Sequence, residues 1–324
     1  MIREIAIFYH GTDVLFGFGL TLQLLLTKHL VMRKLNNLFF FLLLPAITIA
    51  QPNMRDKYAQ KFTEIGIQAG IAGYAGDLGG PLGNEGFRNF SPEFFRPMFN
   101  INATHRMAAW ASFRPVITYG KIAGDDAILE EGSPSDPALG ERNLSFRSTI
   151  AELSLLADIN PLHIFNGYSG RDHKFYPYAS IGVAAFYYNP QANLNGTWYD
   201  LKPLRLEGQG FPQYRENQQY SRVSISIPMG AGFKYYISPR HYIGAETMLR
   251  KTFTDYLDDV SSIYIDPAYF DAYLSAENAG LARELYNRGS RNPGIGGQRG
   301  NQKSDDYYFT VGLRFGFVLN QKPL

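Results

Sequence analysis

The chain contains no cysteine, which excludes a disulfide framework, a zinc-thiolate site and a thiol nucleophile. Its formal net charge is only +2 and no basic run carries interleaved stacking aromatics, so the sequence offers no nucleic-acid surface. Beyond residue 50, no apolar stretch approaches the roughly 20 residues that a membrane-spanning helix requires. A phosphate loop is missing too: Gly294, Gly296 and Gly297 are followed by no Lys-Ser/Thr pair and open no helical pattern. Aromatic and small residues are plentiful instead, with 22 tyrosines, 24 phenylalanines and 32 glycines.

Two segments arrange those residues with period two. In residues 221–236, Val223, Ile225, Ile227, Met229, Ala231, Phe233 and Tyr235 alternate with Arg222, Ser224, Ser226, Pro228, Gly230, Gly232 and Lys234. In residues 306–319, Tyr307, Phe309, Val311, Leu313, Phe315 and Phe317 alternate with Tyr308, Thr310, Gly312, Arg314, Gly316 and Val318. An ordinary soluble strand is usually shorter. Alternation of this length, apolar on one face and small or charged on the other, is how a strand reads when lipid wets one side. With no helical span available, an embedded chain must close its strands into a barrel, because every backbone N–H and C=O facing lipid has to be paired.

Six further segments repeat the pattern, giving eight strands over residues 61–72, 98–105, 108–121, 144–160, 174–188, 219–237, 240–253 and 305–320. The connectors at 106–107, 161–173 and 238–239 are short or moderate, whereas 73–97, 122–143, 189–218 and 254–304 are long. Long and short alternate throughout. That arrangement predicts an all-β fold, a transmembrane up-and-down antiparallel β-barrel of about eight strands with short periplasmic turns and long extracellular loops. The alternative is a secreted β-sandwich, which has no reason to segregate loop length.

The less apolar strand faces carry Glu64, Gln68, Arg114, Glu152, Arg222, Lys234, Glu246, Arg250 and Arg314. An eight-stranded barrel is just wide enough for side chains to fill, and charges enclosed there must pair, so these residues predict a plugged, salt-bridged lumen. An open charge-lined pore would need many more strands. Tyr119, Phe186, Tyr187, Tyr235, Tyr236, Phe253, Tyr307 and Phe317 lie near strand ends, where aromatic belts meet the lipid boundary.

The N-terminus agrees with export. Met32, Arg33 and Lys34 open a basic stretch, residues 38–44 are wholly apolar, and Thr48, Ile49 and Ala50 precede Gln51 as a cleavage site. Residues 32–50 therefore read as a signal peptide, residues 1–31 as a mis-assigned upstream extension, and residues 51–324 as the barrel domain. The rival is a transmembrane helix over residues 14–26, which is shorter than a span and contains Gln23.

An outer-membrane lipid hydrolase or transferase would need histidine, serine and a carboxylate within reach of one another at the outer rim. His105, His163, His173 and His241 all fall in or beside the short turns, so no catalytic residue is assigned and the expectation is a non-enzymatic protein. Acidic spots at Asp125 and Asp126, at Asp255, Asp258 and Asp259, and at Asp305 and Asp306 have oxygen ligands suited to calcium but lack the spacing of a calcium loop. No metal or cofactor site is assigned. Residues 269–287 read as a short helix packed on the rim, and residues 288–304 as a mobile tail.

Six short stretches lie in the same order as in a known family: residues 74–79 (YAGDLG), 120–126 (GKIAGDD), 142–147 (RNLSFR), 186–190 (FYYNP), 198–203 (WYDLKP) and 250–260 (RKTFTDYLDDV). They resemble the PorG-like outer-membrane barrels of the type IX secretion system. The resemblance implies a non-enzymatic structural or anchoring component in the bacterial outer membrane, partnered from the periplasmic side by the ring lipoprotein of that system and its periplasmic partner. On that implication, the periplasmic contacts would come from residues 51–60 and from turns bearing Arg106, Arg171, Lys174 and Arg240. The alternative is a surface-exposed barrel of the OmpA/OmpX kind, embedded in outer-membrane lipid and binding a ligand or another cell through its long outer loops. The third reading, a lipid-modifying barrel enzyme, lacks a rim catalytic group.

Overall fold

Alternation of β-branched or aromatic residues with glycine, serine and threonine favours extended backbone and gives each strand two chemically different faces. In a computed structural model of the chain, which describes residues 62–79, 92–108, 110–126, 142–166, 174–289 and 294–319, these segments form nine strands. They are β1 (Thr63–Ala75), β2 (Arg96–Arg106), β3 (Ala111–Asp125), β4 (Ser145–Ile159), β5 (Phe175–Leu194), β6 (Thr197–Asp200), β7 (Val223–Tyr236), β8 (His241–Thr252) and β9 (Tyr307–Val318). The expected upstream extension and signal peptide, the 51–60 segment and Arg171 lie outside the described residues.

Eight of the strands close on themselves. Each of β1 to β5 pairs antiparallel with the next, β5 continues through β7, β8 and β9, and β9 returns to β1. The protein is thus a closed eight-stranded antiparallel β-barrel, in which every barrel strand has a neighbour on both sides. The ninth strand, β6, only pairs with the end of β5. Asn195 and Gly196 join the two with φ of 52° and 87°, the left-handed pair that a tight hairpin turn demands. The 189–218 segment, expected as a plain loop, therefore starts as a hairpin standing above the barrel.

Residue alternation sets the faces as expected. Ile101, Ile117, Val183 and Leu313 point outward, 61%, 64%, 63% and 74% exposed, while Glu64, Arg114, Glu152, Lys234, Glu246, Arg250 and Arg314 are buried inside. An apolar exterior around a polar interior is the inverse of a soluble fold, and it makes this a membrane-spanning barrel. Tyr119, Tyr187, Tyr235 and Phe253 are on the outer face. Phe186 and Tyr236, expected in the same belts, are 1% and 6% exposed and point inward. Adjacent strand residues cannot share a face, so the pairs Phe186/Tyr187 and Tyr235/Tyr236 each give one ring to the lipid and one to the lumen.

Short and long connections alternate around the barrel. One of the short turns holds helix α1 (Pro161–Asn166). The last long loop folds into α2 (Ala268–Tyr273) and α3 (Ala276–Tyr286), where one rim helix is expected from sequence. Ser275 caps α3 by accepting a hydrogen bond from the Asn278 amide.

Candidate functional site

Charged side chains fill the lumen at three levels. Nearest the short turns, Lys234 on β7 pairs with Glu64 on β1, whose other oxygen accepts a hydrogen bond from Tyr236 at 2.6 Å. Above them, Arg114 contacts Asp158 at 2.8 Å and Glu246 at 2.7 Å, and Arg314 contacts Glu246 at 3.2 Å. Tyr178 donates to Glu246 at 2.9 Å and Ser180 to Asp158 at 2.6 Å. Closer to the long loops, Arg250 pairs with Glu152 at 3.2 Å and donates to Thr310 at 2.6 Å, while Tyr308 also donates to Glu152. Lys234, Arg114, Arg314 and Arg250 thus each meet a carboxylate, as burial in a water-poor interior requires.

Glycine makes the space for this packing. Gly66 and Gly316 face each other across β1 and β9, and a Cβ on Gly316 would occupy the position of the Tyr242 ring. Tyr242 is fully buried over that pair, a large ring filling the gap that two missing side chains leave.

One expected member of the lumen network sits elsewhere. Arg222 has the inward parity, but it lies just before β7 at the long-loop rim and pairs with Asp200 on β6 at 3.0 Å, both side chains partly exposed. Asp158, absent from the expected set, replaces it as a lumen charge. The signal was present, since Asp158 shares its parity with Glu152 on the same strand. Among the turn residues expected to face a periplasmic partner, Lys174 and Arg240 are exposed. Arg106 is corrected: it is 5% exposed, and its guanidinium lies 5.4 Å from the Phe62 ring centre and 5.0 Å from that of Tyr176. It closes the short-turn end of the lumen rather than projecting from it.

The long loops build a folded cap. Its apolar core gathers Leu201, Leu204, Leu206 and Phe211 with Ile265, Phe270, Ala282 and Leu285. Buried acids tie the loops to one another. Glu207 accepts hydrogen bonds from the amides of Ser261 and Ser262 at 2.9 and 3.0 Å and from Arg299 at 2.9 Å. Asp126 holds Arg142 at 2.7 Å and accepts from the Leu144 and Gly79 amides. Tyr74, at the end of β1, donates to Asp258 at 2.6 Å and also approaches Asp306 at 2.9 Å. Of the acidic spots weighed for calcium, Asp126, Asp258 and Asp306 are thus engaged in anchoring loops. Arg299, in the expected mobile tail, is 2% exposed and serves as one of the anchors. Composition hid it because a single buried arginine leaves a Gly/Asn/Gln-rich stretch looking solvated.

Crowding perturbs these acids. Burial raises the Asp255 carboxyl to about 9, reinforced by Asp77, Asp258 and Glu207 and opposed by Ser261. Burial likewise raises Asp259 to about 7, against the pull of Arg299 and Tyr220. Asp258 and Asp306 are both pushed up by burial, with further charge repulsion between Asp306 and Asp258. Burial works against the Arg142 guanidinium, but Asp126 outweighs it and its pKa is raised.

Residues 42–266, more than half of the chain, match the family described as DUF6089, a domain of unknown function. The chain belongs to the DUF6089 family. No curated protein matches it. Similar solved structures include the attachment invasion locus protein Ail of Yersinia pestis, in complex with the heparin analogue sucrose octasulfate, at 8% identity and a TM-score of 0.36 over 80% of this chain and 99% of that one. They also include Neisserial surface protein A, at 10% identity and 0.35 over 79% of this chain and 96% of that one. A major outer membrane protein from Thermus thermophilus gives 11% identity and 0.36 over 79% and 99%. This DUF6089 barrel, with its closed strands, lipid-facing apolar belt and plugged lumen, is a protein of the bacterial outer membrane.

Proposed function

We propose that this DUF6089 barrel is a non-enzymatic, non-conducting outer-membrane anchor that acts through the surfaces it holds at either end. The observation that carries the proposal is the lumen: Arg114, Asp158, Glu246 and Arg314 bridge the interior and leave the barrel packed with charge-paired side chains. Material passing through would have to break buried ion pairs, at a cost of several kcal/mol each.

The resemblance of the ordered loop motifs to PorG-like barrels gives the anchor a specific role: a structural component of the type IX secretion machinery, contacting the ring lipoprotein and its periplasmic partner. Lys174 and Arg240, exposed in the short turns, support that reading. The test is a pull-down of the tagged protein from detergent-solubilised outer membranes with mass spectrometry of the bound proteins. Recovery of the ring proteins, lost when Arg171 and Lys174 are reversed in charge, is the expected result. A clean barrel without those companions would overturn the secretion role.

A second reading is a surface barrel that binds through its outer loops. It is favoured by the folded cap, whose buried ion pairs and apolar core hold the long loops in a defined shape.

A further inference from the structure

On the cap, between the segment that follows β6 and the start of α3, lies an open cleft of about 460 Å³. Its lining includes Lys202, Arg205, Arg222, Gln219, Tyr273 and Asn278. Ligand sites of this size commonly combine a ring surface with a few polar groups that fix orientation.

The cleft is electrostatically one-sided. Arg222 is neutralised by Asp200, and Asp200 is itself held by the side-chain amides of Asn189 and Gln191 at 2.9 and 2.8 Å. Lys202 and Arg205 have no carboxylate partner among the described residues. Lys202 instead lies 5.6 Å from the Tyr220 ring centre and Arg205 5.9 Å from that of Phe211. Those rings position the two cations while leaving them without a counter-charge. The N-terminus of the eleven-residue α3 opens at the same cleft through Ser275, adding the positive end of a helix dipole. Glu277 in the first turn is exposed and is the acidic residue closest in sequence to that end.

The remaining groups are suited to a sugar. Tyr273 presents an exposed ring, and Gln219 and Asn278 carry amides able both to donate and to accept. We propose that this cleft is a binding site for a phosphorylated saccharide, with Lys202 and Arg205 holding the phosphate and Tyr273, Gln219 and Asn278 contacting the sugar. The chemistry is shared by the phosphosugar headgroup of outer-leaflet lipopolysaccharide and by soluble sugar phosphates. The site deepens the second reading above and is independent of any secretion role.

The test uses the whole protein in a sugar-free detergent and titrates it calorimetrically with glucose 1-phosphate, glucose and inorganic phosphate. Glucose 1-phosphate is expected to bind more tightly than either fragment, with affinity falling as salt rises. The double variant Lys202→Gln/Arg205→Gln should weaken it at least tenfold while keeping the wild-type thermal unfolding profile. Arg205→Lys, which keeps the charge, should recover part of the loss relative to Arg205→Gln and guards against a fold defect. Capture of lipopolysaccharide vesicles, competed by glucose 1-phosphate, would support the site with the membrane as its source. Binding of glucose 1-phosphate without vesicle capture would support it with a soluble source. Equal binding of inorganic phosphate, or undiminished binding by the double variant, would overturn the site. If wild type binds no glucose 1-phosphate yet captures vesicles equally with the double variant, this site falls and the surface-binding reading stands. If it binds neither, the phosphosaccharide site falls.

Discussion

Arg114 on β3 and Glu246 on β8 meet at 2.7 Å across the lumen, joining strands that are not neighbours in the barrel. Glu246 also receives Arg314, so one carboxylate serves two buried guanidinium groups. Removing it leaves Asp158 as the only carboxylate of that level. Glu246→Ala should therefore lower the unfolding free energy by about 3–5 kcal/mol, measured by urea unfolding in micelles. Glu246→Gln combined with Arg314→Met, which removes one charge of each sign, should be less damaging than Glu246→Ala. Wild-type stability in Glu246→Ala would show that the network does not hold the strands.

Leu313 tests the solvent on the outer face. It lies near the middle of β9 and is 74% exposed. Leu313→Arg should cost about 2–4 kcal/mol if the side chain faces the bilayer midplane. On a water-exposed strand the same change would be close to neutral. Folding of the variant into lipid vesicles, followed by reversible denaturation, separates the two outcomes.

The contact of Tyr242 with the Gly316 position predicts strong coupling. Gly316→Ala alone should destabilise the barrel, because the added methyl competes with a buried ring. In a Tyr242→Ala background it should be tolerated far better. The double-mutant cycle should return a coupling of about 1–3 kcal/mol, and strict additivity would contradict the packing described.

The cap should respond to pH in a defined direction. Asp255 and Asp259 are raised to about 9 and about 7, so the folded cap holds more protons than the unfolded one through neutrality. Their stabilising contribution is complete below about pH 4, the ordinary aspartate value. It is lost as pH rises through the folded values. Hydrogen exchange in residues 254–289 should therefore quicken between pH 6 and pH 9 beyond the intrinsic rate increase. Asp255→Asn should reduce that extra acceleration, and an unchanged profile would count against the protonated cap.

Much of the barrel was legible in the sequence, for a physical reason. Period two is a local property of extended backbone, so the parity of Arg114, Glu246 or Leu313 assigns its face without knowledge of any partner. Local reading also found the alternation of long and short connections. It failed where two neighbours competed for a face, as with Phe186 and Tyr187, and where parity alone could not give height, as with Arg222. The hairpin turn at Asn195 and Gly196 was available in the sequence through its dipeptide.

The eight barrel strands, their closed topology, the lipid-facing surface and most of the lumen charges were determined by the sequence itself, because each follows from the spacing of residues along one strand or between consecutive strands. Pairing was decided only in three dimensions. Glu246 finds Arg114 across 132 residues and Arg299 finds Glu207 across 92, and no local pattern specifies such partners. The cleft bearing Lys202 and Arg205 likewise exists only because the loop after β6 packs beside α3. Its residues are ordinary polar loop residues until folding brings them together around one space.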